Sequence, residues 1–105
     1  MELLVVNFSL EGMSEEQYER QCDEVAPAFA AVAGLVSKVW LADRAEGVFG
    51  GVYTFDSAAA VDGFLASELF AGVGATPGLV NISLRRFGVL AGPTEVTRGN
   101  AVTAA

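Results

Sequence analysis

The stretch from Gly34 to Phe55, GLVSKVWLADRAEGVFGGVYTF, constrains this chain more than any other. Two apolar runs flank a polar turn of Ala42, Asp43, Arg44, Ala45, Glu46 and Gly47, which is the pattern of a β-hairpin. Successive strand residues point to opposite faces. Leu35, Ser37, Val39 and Leu41 therefore share one face of the first strand, and Val36, Lys38, Trp40 and Ala42 the other. Both faces carry large apolar side chains, whereas a sheet with one wet face alternates apolar with polar. The helices of so short a chain cover one side of a small antiparallel sheet. The other side needs a further cover, and a second copy of the same chain is expected to supply it.

A chain of 105 residues makes one domain with a modest core. Apolar residues make up 52% of it and the mean hydropathy is +0.45, more than a lone monomer needs, which points to an interface or a ligand cavity. No uninterrupted apolar run approaches the roughly 18 residues of a membrane span. MELLVVNF at the start has no basic n-region or cleavage site, so a cytoplasmic protein is expected. The net charge is -7 with only six Lys and Arg, too few to line a phosphate backbone, which argues against nucleic acid. Glu15, Glu16, Glu19, Asp23 and Glu24 gather early in one helix and read as a solvated face favoured by the helix dipole. Histidine is absent and cysteine occurs once. That excludes a Ser-His-Asp triad, a Cys-His pair, a histidine-ligated haem and most zinc or non-haem iron sites. Proton chemistry falls to Asp, Glu, Lys, Tyr, Cys or the substrate itself.

Glu2 to Ser9 reads as a first strand, with Leu3, Val5 and Asn7 on one face and Leu4, Val6 and Phe8 on the other. Ser14 with Gln17 three residues on is a capping box. It opens a helix from about Glu15 to Val32, whose apolar stripe is Tyr18, Cys22, Val25, Phe29 and Val32. Pro27 is predicted to kink that helix or divide it near Ala26. Cys22 lies on the stripe and reads as a core thiol, not a nucleophile. After the hairpin, Asp56 or Ser57 caps a second helix from about Ala58 to Phe70, with Val61, Phe64, Leu65 and Leu69 inward. The glycine-rich run from Gly72 to Gly78 breaks it. A last strand, Leu79 to Leu90, sets Val80, Ile82 and Leu84 against Asn81, Ser83, Arg85 and Phe87. The order strand, helix, strand, strand, helix, strand is the split βαβ of the ferredoxin-like fold. The expectation is an α+β domain over residues 1–90, with both helices on one face of a four-stranded antiparallel sheet. Residues 91–105 read as a tail, frayed or laid across a partner subunit.

GLVSKVW at 34–40, GGVYTF at 50–55 and the helix bearing Ala59, Ala60 and Phe64 together resemble the YdhR-type monooxygenases. These belong to the dimeric α+β barrel superfamily, which also holds the antibiotic-biosynthesis monooxygenases. The resemblance runs from Val5 to about Gly99 and includes the ValAsnPhe of the first strand. It implies a homodimer in which two sheets meet face to face and close an eight-stranded barrel. Such a face buries on the order of 700 Å² per subunit, comparable with a standard specific interface. It also implies chemistry without metal, flavin or nicotinamide, so no cofactor is expected.

The polar residues set among the strands are Asn7, Ser37, Lys38, Trp40, Tyr53, Asn81, Ser83 and Arg85. Each needs a partner, water or ligand there, because an unsatisfied buried polar group is costly. A ligand pocket satisfies that need, and so does a set of internal bonds such as Arg85 or Lys38 paired with a carboxylate across a dimer. The Gly50-Gly51 pair lies within a strand and opens no helix, so it is no nucleotide fingerprint; it marks close approach of a backbone or ligand to the sheet. With the resemblance, the expected activity is cofactor-free oxygenation of a small acidic aromatic or polyketide-like substrate. The substrate is bound as its anion, gives an electron to O₂ and couples with it, while the protein holds the anion and excludes water. On that scheme Arg85 and Asn7 hold the oxyanion, Trp40 and Tyr53 stack on or hydrogen-bond the ring, and Lys38 lowers the substrate pKa. Ser37, Asn81, Ser83, Phe55, Phe64 and Leu65 contact the substrate. The second helix carries Phe64, Leu65 and Glu68 where the haem-degrading branch has its histidine, which argues against haem degradation. A non-oxidative isomerase or cyclase on the same scaffold, and a small-molecule binding protein without turnover, remain open.

Overall fold

In a computed structural model that describes residues 1–99, the chain forms β1 (Glu2–Leu10), α1 (Glu15–Ala30), β2 (Leu35–Asp43), β3 (Val48–Phe55), α2 (Ala58–Leu65), α3 (Glu68–Ala75), β4 (Leu79–Gly88) and α4 (Ala91–Val96). The sheet is antiparallel throughout in the order β2-β3-β1-β4, the ferredoxin-like arrangement expected of this element order. Its register fixes two sets of rows. Lys38, Tyr53, Leu4 and Arg86 stand side by side across the four strands, and Trp40, Gly51, Val6 and Leu84 form the next row on that face. On the opposite face, Val39, Val52, Val5 and Arg85 make one row and Leu41, Gly50, Asn7 and Ser83 another.

The first face is the covered one. Leu4, Val6, Phe8, Phe49, Tyr53 and Phe55 of the sheet pack with Tyr18 and Phe29 of α1 and Val61 and Phe64 of α2 into one buried cluster. None of α1, α2 and α3 lies over the second face; α4 borders only its end, at Leu3 and Thr54, and Val39 is 56% exposed there and Phe87 40%. Two irregularities tune the parity. β2 shifts register between Leu35 and Ser37, and β4 shifts against β1 between Asn7 and Ser9. In the second shift Asn81 takes a left-handed φ of 56°, a conformation that Asn tolerates better than most residues. Val80 then stands opposite Ser9, while Ile82 still packs on the core. The simple alternation of Val80, Ile82 and Leu84 is therefore corrected by a bulge.

The helices follow their caps. Ser14 and Gln17 make the expected capping box. α1 runs unbroken through Pro27, because a proline this late removes one bond to the carbonyl of Asp23 and the helix ends a turn later in any case. The expected second helix is two helices with axes 54° apart. Ser67 makes the break: its hydroxyl donates to the carbonyl of Phe64 and accepts from the amide of Phe70, so one side chain stops α2 and starts α3. Gly72 and Gly74, expected to break the helix, lie inside α3, which ends instead at Ala75 with Thr76 as its cap. The last strand stops at Gly88, and the start of the expected tail is the short helix α4; residues 100–105 lie outside those described. No single helix among the described residues is long and apolar enough to cross a membrane.

Candidate active site

Between the covered face and the helices the packing is incomplete. A cavity of about 320 Å³ is walled by Tyr18, Gln21, Cys22, Val25 and Phe29 of α1, Lys38 and Trp40 of β2, Tyr53 of β3, and Glu68, Leu69, Gly72 and Val73 of α3. The turn at Ser67 swings α3 out of line with α2, and α3 buries none of its residues fully. At Gly72 a methyl group would meet nothing within 4 Å, so the sequence leaves that wall open. The volume falls at the lower end of the range for small-ligand sites.

Lys38 lies on the floor. Its ammonium stands 3.6 Å from the centroid of the Phe29 ring, 3.3 Å from that of Trp40 and 4.6 Å from that of Tyr53. Those rings brace one another: Phe29 meets Trp40 edge-on at 5.4 Å and Tyr53 at 6.1 Å. The glycine pair makes the arrangement possible. A Cβ on Gly51 would stand 2.9 Å from Lys38 Cε, and one on Gly50, where φ is 143°, would stand 1.8 Å from the carbonyl oxygen of Val6. The close approaches expected at this pair are therefore a side-chain stem at Gly51 and a backbone at Gly50.

The ion pairs among the described residues belong to Arg44, with Glu15 and Glu19, and to Arg86, with Glu2 and Asp62. No carboxylate among these residues pairs with Lys38. Burial pushes its amine down to about 7, with Cys22 acting weakly the other way. The ring faces favour the charged form and also oppose that fall. Burial raises the phenols of Tyr18 and Tyr53. It raises the Cys22 thiol too, against the opposing pull of the Tyr18 hydroxyl and Lys38. All three stay protonated near neutrality, so Cys22 is an unactivated thiol, packed against the core cluster at the cavity wall.

The structure brings together Lys38, Trp40 and Tyr53 of the expected catalytic set. Asn7 and Arg85 face the other side of the sheet, because Asn7 shares its parity with Val5, and Arg85 stands opposite Val5. Asn7 Nδ2 donates to the carbonyl of Phe49 at 3.4 Å, and the Arg85 guanidinium lies 4.9 Å from the Phe87 ring centroid. Ser37 and Ser83 share that open face, and Asn81 sits in the bulge. Phe55 and Phe64 are core side chains, 0% and 2% exposed, and Leu65 packs against them; none of the three lines the cavity. The sequence reading missed Gln21, Glu68 and Gly72 as wall residues; Cys22, read as core, does pack on the core cluster and, like Val25 of the same stripe, also lines the cavity. Their signal was the α1 stripe itself, which runs past the end of the packed core onto the cavity.

Over residues 3–100 the sequence matches the family described as "Putative mono-oxygenase ydhR". The chain belongs to this family. Its fold is shared with the haem-degrader MhuD of Mycobacterium tuberculosis, solved with two haems bound in its active site, at 16% identity and TM-score 0.69 over 86% of this chain and 96% of that one. It is similar also to SnoaB, a cofactor-independent oxygenase from Streptomyces nogalater, at 19% identity and TM-score 0.67 over 85% and 93%. A Deinococcus radiodurans protein described as a "putative antibiotic biosynthesis monooxygenase" gives 14% identity and TM-score 0.66 over 85% and 92%. At these identities the likeness is one of fold. No curated protein sequence matches the chain significantly.

Proposed function

We infer that this member of a monooxygenase family is cofactor-independent, works as a homodimer, and oxidises a small acidic aromatic or polyketide-like substrate with O₂ in the cavity under α1 and α3. The observation that carries the reading is Lys38, a cation without a carboxylate partner among the described residues, set in aromatic walls beside an open space. A phenolate or enolate entering that space supplies the missing counter-ion, and its ring lies against Trp40 and Tyr53. The ammonium favours the substrate's anion, since an opposite charge at a few ångströms lowers an acid's pKa. The anion then gives an electron to O₂, and the two radicals couple into a C–O bond. For an anthrone-like CH₂ carbon, loss of the second C–H proton breaks the peroxide O–O bond. One oxygen remains as a carbonyl and the other leaves as water, and every electron comes from the substrate carbon. The walls hold the anion and keep bulk water from the peroxide.

Support for the dimer is the open face. Leu3, Val5, Leu41 and Val52 lie there half-buried beside the exposed Val39 and Phe87, and an apolar sheet face of this extent marks an interaction surface.

The test is oxygen uptake by chelator-treated protein offered a panel of anthrones and naphthols. One O₂ consumed per quinone formed is expected. Turnover that continues in an anaerobic chamber moves the assignment to an isomerase or cyclase, and uptake restored only by added flavin, iron or haem rejects the cofactor-free scheme.

A further inference from the structure

Lys38 is the sole lysine of the chain, and its setting is not that of a surface lysine. Such a residue lays its stem on apolar surface and keeps its head in water; a structural one has a carboxylate. Lys38 has its Nζ against three ring faces, no carboxylate partner among the described residues, and a cavity in front of it. Lysines that act as nucleophiles on carbonyl carbon sit in such water-poor pockets, where the neutral amine is accessible.

We propose that Lys38 is an imine-forming residue, whose amine condenses reversibly with an aromatic aldehyde or aryl ketone held in the cavity between the sheet, α1 and α3. The Nζ lone pair adds to the carbonyl carbon, making a C–N bond as the C=O π electrons move to oxygen. That oxygen leaves as water, with two protons that were on the amine, and a C=N bond remains. No electron is transferred to or from any other species. Once the imine nitrogen takes up a proton from solvent, its positive charge lies on the atom that Phe29, Trp40 and Tyr53 already hold, so the rings favour it as they favour the ammonium. The substrate's own ring finds the same aromatic wall. Of the titratable side chains around the amine, Tyr18 and Cys22 from α1 and Tyr53 from β3 are kept protonated by burial. Glu68 of α3 is the carboxylate on the cavity wall. With its amine lowered to about 7, Lys38 offers on the order of a thousandfold more free amine at pH 7 than an ordinary lysine.

This activity goes beyond oxygenation and does not depend on it. The ammonium serves an anion and the free amine serves a carbonyl.

The experiment is reductive trapping under argon, with the full chain, 2-naphthaldehyde and cyanoborohydride at pH 7, read by intact mass and peptide mapping. The sole lysine leaves two primary amines, Lys38 and the N-terminus. Labelling at Lys38 at least about tenfold faster in the folded chain than in urea is expected, with none at that position in Lys38→Arg, which keeps the cation and loses the nucleophile. Labelling confined to the N-terminus, or no faster at Lys38 in the folded chain, overturns the proposal. Should Lys38→Arg fail to fold, the folded-against-urea comparison on the wild-type chain still decides. Because O₂ is excluded, failure here leaves the oxygenation reading untouched, and failure of oxygen uptake leaves this one untouched.

Discussion

The ammonium of Lys38 stands 3.3 Å from the centroid of the Trp40 ring, two residues further along the same face of β2. The contact joins a local fact, the period-two alternation of a strand, to a long-range one. Phe29 of α1 closes the cage from above, and Gly51 of β3 clears the space beneath. A cation held this way is stabilised by the rings and penalised by the lost water, so its protonation is coupled to folding.

That coupling predicts a pH dependence of stability. Lys38 is at about 7 in the folded chain and about 10.4 in the unfolded one. Between those values the unfolded chain binds more protons, so stability rises with pH. The raised thiol of Cys22 and the raised phenols act in the opposite sense once pH passes roughly 8.5, which leaves pH 7 to 8.5 as the window. A gain of about 1 kcal/mol across it is expected, discounted from the full linkage value for residual solvent and ring attraction. Urea melts at the two pH values should show the gain in the wild type and lose it in Lys38→Met. A flat or falling wild-type profile contradicts the assignment.

Gly51→Ala tests the cage from below. The added methyl would stand 2.9 Å from Lys38 Cε, 3.2 Å from the carbonyl oxygen of Val39 and 3.4 Å from Tyr53 Cε1; the flexible lysine gives way furthest, and the strand gives by a few tenths of an ångström at Val39. Lys38 should leave the rings and titrate closer to an ordinary lysine, while the fold survives with a cost of about 1 kcal/mol. Trp40 is the sole tryptophan, so its fluorescence reports the lost cation directly. An emission spectrum and pH–stability slope identical to the wild type would show that Lys38 had not moved.

The open face is tested by Val52→Asp. Val52 sits mid-sheet between Val5 and Val39, and a dimer formed through this face would bury the new carboxylate among apolar side chains. Sedimentation should show a dimer in the wild type and a monomer of lower stability in the variant, since the two losses are linked by mass action. A wild-type chain that is a stable monomer at micromolar concentration removes the dimer. Arg85→Met belongs to the same test: it should alter the dimer's dissociation and leave ligand binding in the cavity within about twofold.

Strand parity was legible in the sequence over most of each strand, and with it the ferredoxin-like order; the two register shifts, which put Leu35 and Val80 on the face opposite to the one simple alternation gives them, were not. Which face the helices cover could not be read, because both carry apolar rows. Asn7 and Arg85 were accordingly grouped with Lys38, and only the packing of Leu4, Val6 and Phe8 under α1 and α2 separates them. The α2–α3 turn was hidden for a different reason. Ser67 before Glu68 is a cap signal, but the apolar residues Phe64, Leu65, Leu69 and Phe70 continue a helical spacing across it. The Gly50-Gly51 pair announced a close approach without saying what approaches, since a missing side chain is equally consistent with a ligand, a backbone or a lysine stem.

The last prediction concerns turnover. If Lys38 holds the substrate anion as an ammonium, kcat/KM depends on two opposed ionisations in the free reactants. It rises with pH as the substrate ionises and falls as Lys38, lowered to about 7, gives up its proton. The bound anion favours the ammonium, so the falling limb of kcat should lie at higher pH than that of kcat/KM. Lys38→Met should abolish the falling limb and lower kcat/KM by roughly 10- to 100-fold, the worth of one charge-assisted contact. Trp40→Phe keeps an aromatic face but narrows it, and should slow kcat more than it raises KM, as expected where the lost contact strengthens in the transition state. Oxygen uptake across pH 5.5 to 9 with one naphthol, on the three proteins, separates the cases. A falling limb that persists in Lys38→Met assigns that ionisation elsewhere and removes Lys38 from the chemistry.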